Sequence, residues 1–327
     1  MRIQIVTPAA EGSLNGNRRT ADRWADAVRT LGHDVRITTH DDGQGTDLLL
    51  ALHAYRSADC IRAFRERAPD RPIVLALTGT DVYRDQFTHP DVFGSSLLAA
   101  DALIGLHDRV GDDLPPSFHN RLVTVHQSAA PPPGADDTPP PGRFEVCVIG
   151  HLRDEKDPFR AAQAVRNLPD ASRIRIIHAG RAYSEDWAAR ARQEMGVNPR
   201  YTWLDQVDHD RIRELMARSG AMVISSVMEG GANVVSEACV AGLPVIASHI
   251  PGNIGLLGED YPGYFPVRDT AALRQLLLRI EDDEAFLQQL RDAVGQRAHR
   301  FTPEAERKAL QQAMDQALSR MGSSASP

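Results

Sequence analysis

Cysteine is scarce. Cys60, Cys147 and Cys239 are the three cysteines in 327 residues. They lie far apart and form no C-x-x-C pair and no mixed Cys/His ligand set. A zinc site and a disulfide framework are therefore not expected, which leaves buried reduced thiols. Long hydrophobic runs are lacking too, since no stretch approaches the roughly 20 apolar residues that a membrane crossing needs. Met1-Arg2-Ile3-Gln4-Ile5-Val6 has no long apolar core and no small-residue cleavage site, so it reads as a strand and not a leader. Basic charge is not in excess. Lys plus Arg number 37 against 44 Asp plus Glu, a formal net charge of −7. That balance argues against nucleic acid as a partner and leaves room for a local basic pocket around a small anion. The chain also has no Gly-Lys-Ser/Thr phosphate loop and no complete G-x-G-x-x-G, because Gly43-x-Gly45 lacks the third glycine. A cytoplasmic enzyme with no membrane span fits these absences.

What is present is alternation. Short apolar runs follow helical patterns throughout, as in a parallel sheet covered by helices. Strands are predicted at 2–7, 34–39, 47–52, 73–77, 102–106 and 122–125, with helices at 19–31, 57–67 and 90–100. Ala130-Pro131-Pro132-Pro133-Gly134 and Pro139-Pro140-Pro141-Gly142 then interrupt the pattern, and proline at this density makes a semi-rigid linker. The alternation restarts with strands at 144–150, 174–178, 201–203, 221–225 and 244–247. Helices fall between them at 158–166, 184–195, 210–218 and 232–241. Three more follow at 270–279, 284–300 and 303–319, before a Gly-Ser-Ser-Ala-Ser-Pro tail expected to be disordered. The expected organisation is an α/β chain. An N-terminal Rossmann-like acceptor domain spans 1–130, a proline-rich linker 131–142, a C-terminal Rossmann-like domain 143–302, and a last helix with the tail 303–327. Two doubly wound domains facing across a cleft would bind ligands at the carboxyl ends of their strands.

The most informative segment is Ser225-Ser226-Val227-Met228-Glu229-Gly230-Gly231-Ala232-Asn233-Val234-Val235-Ser236-Glu237-Ala238. A strand runs into a loop with Glu229 and two glycines, then into a helix carrying Glu237. Gly230 and Gly231 let backbone approach a ligand closely. The free N–H groups near Gly231, Ala232 and Asn233 suit a phosphate at a helix start. Glu237 is then placed for ribose hydroxyls and Glu229 for sugar hydroxyls. A second strand-to-helix loop, Gly150-His151-Leu152-Arg153-Asp154-Glu155-Lys156, offers cations to a leaving diphosphate. A third, ending in Gly16-Asn17-Arg18-Arg19-Thr20, places basic residues at a helix start. Thr78-Gly79-Thr80-Asp81 closes the fourth strand, where ligand residues belong. Asp81 and His107 are candidates for acceptor contact or proton handling.

The Glu229-x7-Glu237 spacing resembles the motif of the retaining GT-B glycosyltransferase family numbered four, as do Gly242-Leu243-Pro244-Val245-Ile246-Ala247 and Pro251-Gly252-Asn253. The resemblance implies a GT-B fold whose C-terminal helix crosses back. It implies donor-sugar and ribose contacts from Glu229 and Glu237, with Val234, Gly252 and Asn253 in the substrate site, and Lys156 on the diphosphate. The family's usual arginine is replaced by His151, which leaves Arg153 to take its part. Further segments narrow the likeness: Gly16-Asn17-Arg18-x-Thr20, Ala51-Leu52-His53-Ala54, Leu77-Thr78-Gly79-Thr80-Asp81-Val82-Tyr83 and Met228-Glu229-Gly230-Gly231-Ala232-Asn233. These resemble the selenosugar synthase branch of that family, in selenoneine biosynthesis. That branch implies a C–Se bond formed between a UDP-sugar, UDP-N-acetylglucosamine first, and selenophosphate, with release of UDP. It implies no metal or other cofactor, and selenophosphate synthetase and selenoneine synthase as pathway partners. Arg18, Arg19 and Arg23 would hold the anionic acceptor. The alternative is transfer to a hydroxyl acceptor. The spacing assigns no general base and decides neither retention nor inversion.

Overall fold

Leu48–Leu52 and Ile73–Leu77 are buried at every position, as strands covered on both faces must be. They are the centre of a sheet in a computed structural model that describes residues 1–12, 16–131 and 142–324. The first strands are β1 (Arg2–Val6), β2 (Asp34–Thr38), β3 (Leu48–Leu52), β4 (Ile73–Leu77), β5 (Ala102–Gly105) and β6 (Leu122–Thr124). All pair in parallel in the order β2-β1-β3-β4-β5-β6. Helices α1 (Gly16–Thr30), α2 (Ala58–Arg67), α3 (Gln86–Thr88) and α4 (Pro90–Ala99) connect them, with a wide π-turn at Asp81–Asp85.

Alternation divides each strand's side chains between two cores. Leu48, Leu50 and Leu52 pack with Trp24, Ala25 and Val28 of α1, and Leu49 and Ala51 pack with Phe64 of α2 and Leu97 of α4. Burial of this kind contributes roughly 1.5–3 kcal/mol per large apolar side chain.

The second sheet runs β12-β11-β10-β7-β8-β9, again wholly parallel. Its strands are β7 (Phe144–Ile149), β8 (Ile174–Ala179), β9 (Tyr201–Trp203), β10 (Ala221–Ile224), β11 (Val245–Ser248) and β12 (Tyr264–Phe265). The helices are α5 (Arg160–Val165), α6 (Glu185–Val197), α7 (His209–Arg218), α8 (Asn233–Ala241), α9 (Pro251–Leu257), α10 (Thr270–Asp282) and α11 (Glu284–Arg297), before the final α12 (Pro303–Ser324). The chain reverses its winding direction between the adjacent strands β7 and β10, and an open α/β sheet offers its ligand site at such a point.

The chain divides into two compact units. The first holds Met1–Ser128, Glu229–Asn233 and Thr302–Pro327, and the second holds Ala129–Met228 and Val234–Phe301. Helix α12 thus belongs with the first sheet, where Leu310, Ala313, Met314 and Ala317 join its core. The expected strands are all present, within a residue or two. Helix α9 and strand β12 were not expected, and Gly322 continues α12 where a disordered tail was expected. Most of the proline-rich linker, residues 132–141, lies outside the described residues. Cys147 and Cys239 are buried thiols that burial pushes up to about 12, whereas Cys60 is only half-buried.

Candidate functional site

In the second unit the loops leaving β7 and β10 lie side by side because their strands are neighbours. Ser225 Oγ donates to the Asp157 carbonyl at 2.9 Å and the Lys156 carbonyl at 3.2 Å. The Val227 N–H donates to the Glu155 carbonyl at 2.9 Å. Behind them, Ser248 Oγ donates to the Ser226 carbonyl at 2.6 Å, and Asn253 Nδ2 donates to the Ser248 carbonyl at 2.9 Å. Asn253 is fully buried, as is Gly252 in the first turn of α9. The expected substrate contact by Asn253 is thus corrected: its amide braces the β10 loop from behind.

The other side of the β7 loop is fixed by His178, for which no role was expected from the sequence. Its Nε2 faces the Gly150 carbonyl at 2.9 Å and its Nδ1 faces the Tyr201 hydroxyl at 3.0 Å. A carbonyl only accepts, so Nε2 carries the proton and Nδ1 accepts from Tyr201. Burial pushes this imidazole down to about 4. A lone histidine in the apolar strand β8 was the available signal. Lys156, half-buried, runs its methylenes over Gly150, and Asp157 turns through a left-handed φ of 44° to begin the next segment. Arg153 Nε lies 3.9 Å from Glu155, and His151 Nδ1 accepts the Arg181 N–H at 3.2 Å. Glu237 and Val234 are half-buried on α8, while Val235, Ser236, Ala238 and Cys239 of the same helix face the core.

In the first unit, Asp81 is fully buried. Its Oδ1 accepts from the backbone N–H groups of Thr78 (2.9 Å), Gly79 (2.8 Å) and Val82 (3.1 Å), and its Oδ2 from that of Ala54 (2.9 Å). A carboxylate held this way fastens the β3 and β4 loops and is not placed to handle a proton. Beside it His53, at a left-handed φ of 78°, accepts the Arg56 N–H on Nδ1 at 3.2 Å, so its Nε2 donates to Thr80 Oγ1 at 2.9 Å. His107 is likewise occupied. Its Nδ1 accepts the Arg109 N–H at 3.2 Å, which leaves the Nε2 proton for Tyr83 Oη at 2.9 Å. Burial pushes His107 down to about 4. Asp81 and His107 are therefore braces, and their expected proton-handling role is corrected.

The glycines also differ from expectation. A Cβ on Gly79 (φ 111°) would lie 2.5 Å from the Gly230 nitrogen, and a Cβ on Gly230 or Gly231 would overlap Gly79 or Leu106. Their small size lets the Gly230–Gly231 loop touch the loops after β4 and β5, whereas close approach to a ligand was expected. Half-buried Glu229 precedes this contact, and buried Ala232 and half-buried Asn233 follow it. At the start of α1, Gly16 is exposed and Asn17 and Arg19 are half-buried. Arg18 pairs with Asp22 at 2.9 Å. Thr20 is buried and accepts from Gln127 Nε2 at 2.8 Å. Arg23 binds buried Glu306 of α12 at 2.9 Å, which makes it a structural cation and not an acceptor ligand.

Residues 135–301 match the family model described as glycosyl transferases group 1. The chain belongs to this family. A glycogen synthase of Mycobacterium tuberculosis is 28% identical over 209 residues, 61% of this chain and 50% of that protein. The chain thus spans about half the length of the glycogen synthases it matches. A putative teichuronic acid biosynthesis glycosyltransferase of Bacillus subtilis, TuaC, is 22% identical over 83% of this chain and 70% of its own. Among solved structures, the sucrose-phosphate synthase of Thermosynechococcus elongatus superposes with a TM-score of 0.79 at 18% identity, covering 99% of this chain and 100% of that one. HepE of Anabaena, solved with UDP and glucose, gives 0.73 at 16% identity, covering 96% and 99%. These likenesses show the GT-B fold for this member of the group 1 family. Among the described residues, no group of three or more His, Cys, Asp or Glu could hold a metal ion, and no helix is long and apolar enough to cross a membrane.

Proposed function

We propose that this chain transfers a sugar from a nucleoside-diphosphate sugar to an acceptor. The observation that carries the reading is the pair of fastened loops, Gly150–Asp157 and Ser225–Met228, at the reversal point of the sheet within the family-matched region. In this reading Lys156 and Arg153 stabilise the charge that grows on the departing diphosphate, with neutral His151, whose Nδ1 accepts the Arg181 N–H, beside them. Fixed cations that need no reorganisation are effective at that task. Glu237 accepts from ribose hydroxyls and Glu229 from hydroxyls of the sugar. The N–H groups of Gly231, Ala232 and Asn233 lie along the phosphates, while the loop of Thr78, Gly79 and Thr80 and the α1 start at Gly16–Arg19 border the acceptor.

The comparisons favour a hydroxyl acceptor. A relative from Streptomyces kanamyceticus, 28% identical over 45% of this chain and 38% of its own, is a 2-deoxystreptamine glucosyltransferase. One observation favours the second reading, with selenophosphate as acceptor. Asp81 and His107, the side chains best placed by sequence to accept a proton, are tied into the fold, and a soft anionic nucleophile needs no base. Selenium would attack the anomeric carbon as its bond to the diphosphate oxygen breaks, with UDP taking the electron pair.

The test is UDP release from UDP-N-acetylglucosamine and UDP-glucose, with sugar alcohols or with freshly made selenophosphate, followed by mass spectrometry. Glycosylated alcohol supports the first reading, and a selenium-bearing sugar the second. No release of UDP with any acceptor refutes the UDP-dependent form of both.

A further inference from the structure

The loops that leave β7 and β8 abut backbone to backbone. A Cβ on Gly180 would overlap the Gly150 carbonyl, the Leu152 N–H donates to the Arg181 carbonyl at 3.0 Å, and the Tyr183 N–H donates to the Leu152 carbonyl at 3.2 Å. This bracing holds Arg153 and Arg181 against one ring: each guanidinium carbon lies 5.4 Å from the centroid of Tyr183. Tyr183 is 45% exposed. Arg181 makes no side-chain hydrogen bond or ion pair among the described residues, and Arg153 has only the Glu155 carboxylate at 3.9 Å. Arg153 Nε is buried without a hydrogen-bond partner. An arginine that spends its face on an aromatic ring keeps its in-plane N–H donors for a phosphate. Two such cations on one ring repel each other, and an anion between them relieves that repulsion. In a chain of net charge −7, so local a concentration of positive charge is informative.

We propose that Arg181 and Tyr183, together with Arg153, form a clamp for the phosphates of the nucleoside diphosphate. The clamp supplies the charge that His151 does not. It rests on the reading of the second unit as the donor site and adds two residues that neither the sequence motifs nor the family match assigned. Tyr183 acts as a positioning residue, holding both guanidinium planes, and Arg181 as a ligand to the phosphates.

Calorimetric titration of the whole chain with UDP, ADP and GDP tests this, with uridine as a phosphate-free competitor. Arg181→Gln should weaken the best nucleoside diphosphate by roughly tenfold or more, the scale of a lost charge-assisted hydrogen bond. Its binding should also depend less steeply on salt, while uridine competes as in the wild type. Tyr183→Leu should weaken the diphosphate as well, and Tyr183→Phe should restore it. Arg192→Gln, which removes a cation paired with Glu185 at 2.6 Å, should change nothing. Unchanged diphosphate affinity in Arg181→Gln overturns the clamp and leaves the donor-site reading standing. An equal loss for uridine also overturns it, since the arginine would then contact the nucleoside. A wild-type chain that binds none of the three diphosphates overturns the donor-site reading and the clamp together.

Discussion

Asp81 and His107 show what a residue's position in a sequence conveys and what it does not. Both stand at the carboxyl ends of strands, where ligand residues collect, and that much was legible. Their partners were not, because the donors that occupy them come from the backbone of Thr78, Gly79, Val82, Ala54 and Arg109. Nothing in a side-chain pattern announces where an N–H will point. The distinction is measurable. Asp81→Asn puts an NH2 where three backbone donors converge, or turns it toward the Ala54 N–H. Either way a buried donor is left unpaired, at a cost of about 1–3 kcal/mol. The expected outcome is a lower thermal midpoint, and a pH dependence of turnover that keeps its wild-type shape. A lost ionisation in the rate profile would instead return Asp81 to proton handling.

The elements were more legible than the contacts between them. Strands in a parallel sheet read as apolar runs, so β3 and β4 could be placed from Leu48–Leu52 and Ile73–Leu77 alone. Helix α9 could not. Pro251, Gly252 and Gly255 resemble a loop, and only Pro at the first helical position, where its missing N–H costs nothing, explains how the helix starts there. Strand β12 is two residues long, too short to show a period. His178 was invisible as a brace of the β7 loop for the same reason as Asp81, since its partner on that loop is the Gly150 carbonyl.

Two buried neutral histidines, His107 on the loop after β5 and His178 within β8, are lowered from 6.5 to about 4. The unfolded chain binds protons at these sites from about pH 6.5 downward, and the folded chain only near pH 4. Their contribution is therefore complete above pH 6.5 and is lost progressively as the pH falls toward 4. Each histidine accounts for about 3 kcal/mol over that window, at 1.36 kcal/mol per unit. Denaturant unfolding at pH 7.0 and 4.5 should show this loss. His178→Gln should show a smaller one, and an identical pH dependence in that variant would contradict the assignment.

At the scale of the whole molecule, the last helix completes the first unit. Glu306, buried near the start of α12, accepts from Arg23 Nε at 2.9 Å, Trp24 Nε1 at 2.7 Å and the Ser128 N–H at 3.1 Å, and also from the Ser128 hydroxyl. Removing it leaves a half-buried guanidinium and three buried donors unpaired, a change that costs about 3–5 kcal/mol when a buried ion pair is broken. Glu306→Ala is expected to unfold the first unit at a lower temperature or denaturant concentration than the wild type. An unchanged midpoint would show that α12 is held by its apolar face alone.

The proposed function depends on use of a nucleoside-diphosphate sugar through the Glu229 loop. The most direct measurement is UDP release from UDP-sugars by the wild type and by Glu229→Ala, with circular dichroism to verify the fold of the variant. Acceptor-dependent release by the wild type and its loss in the folded variant are expected. Equal turnover by the two proteins would contradict the proposed function.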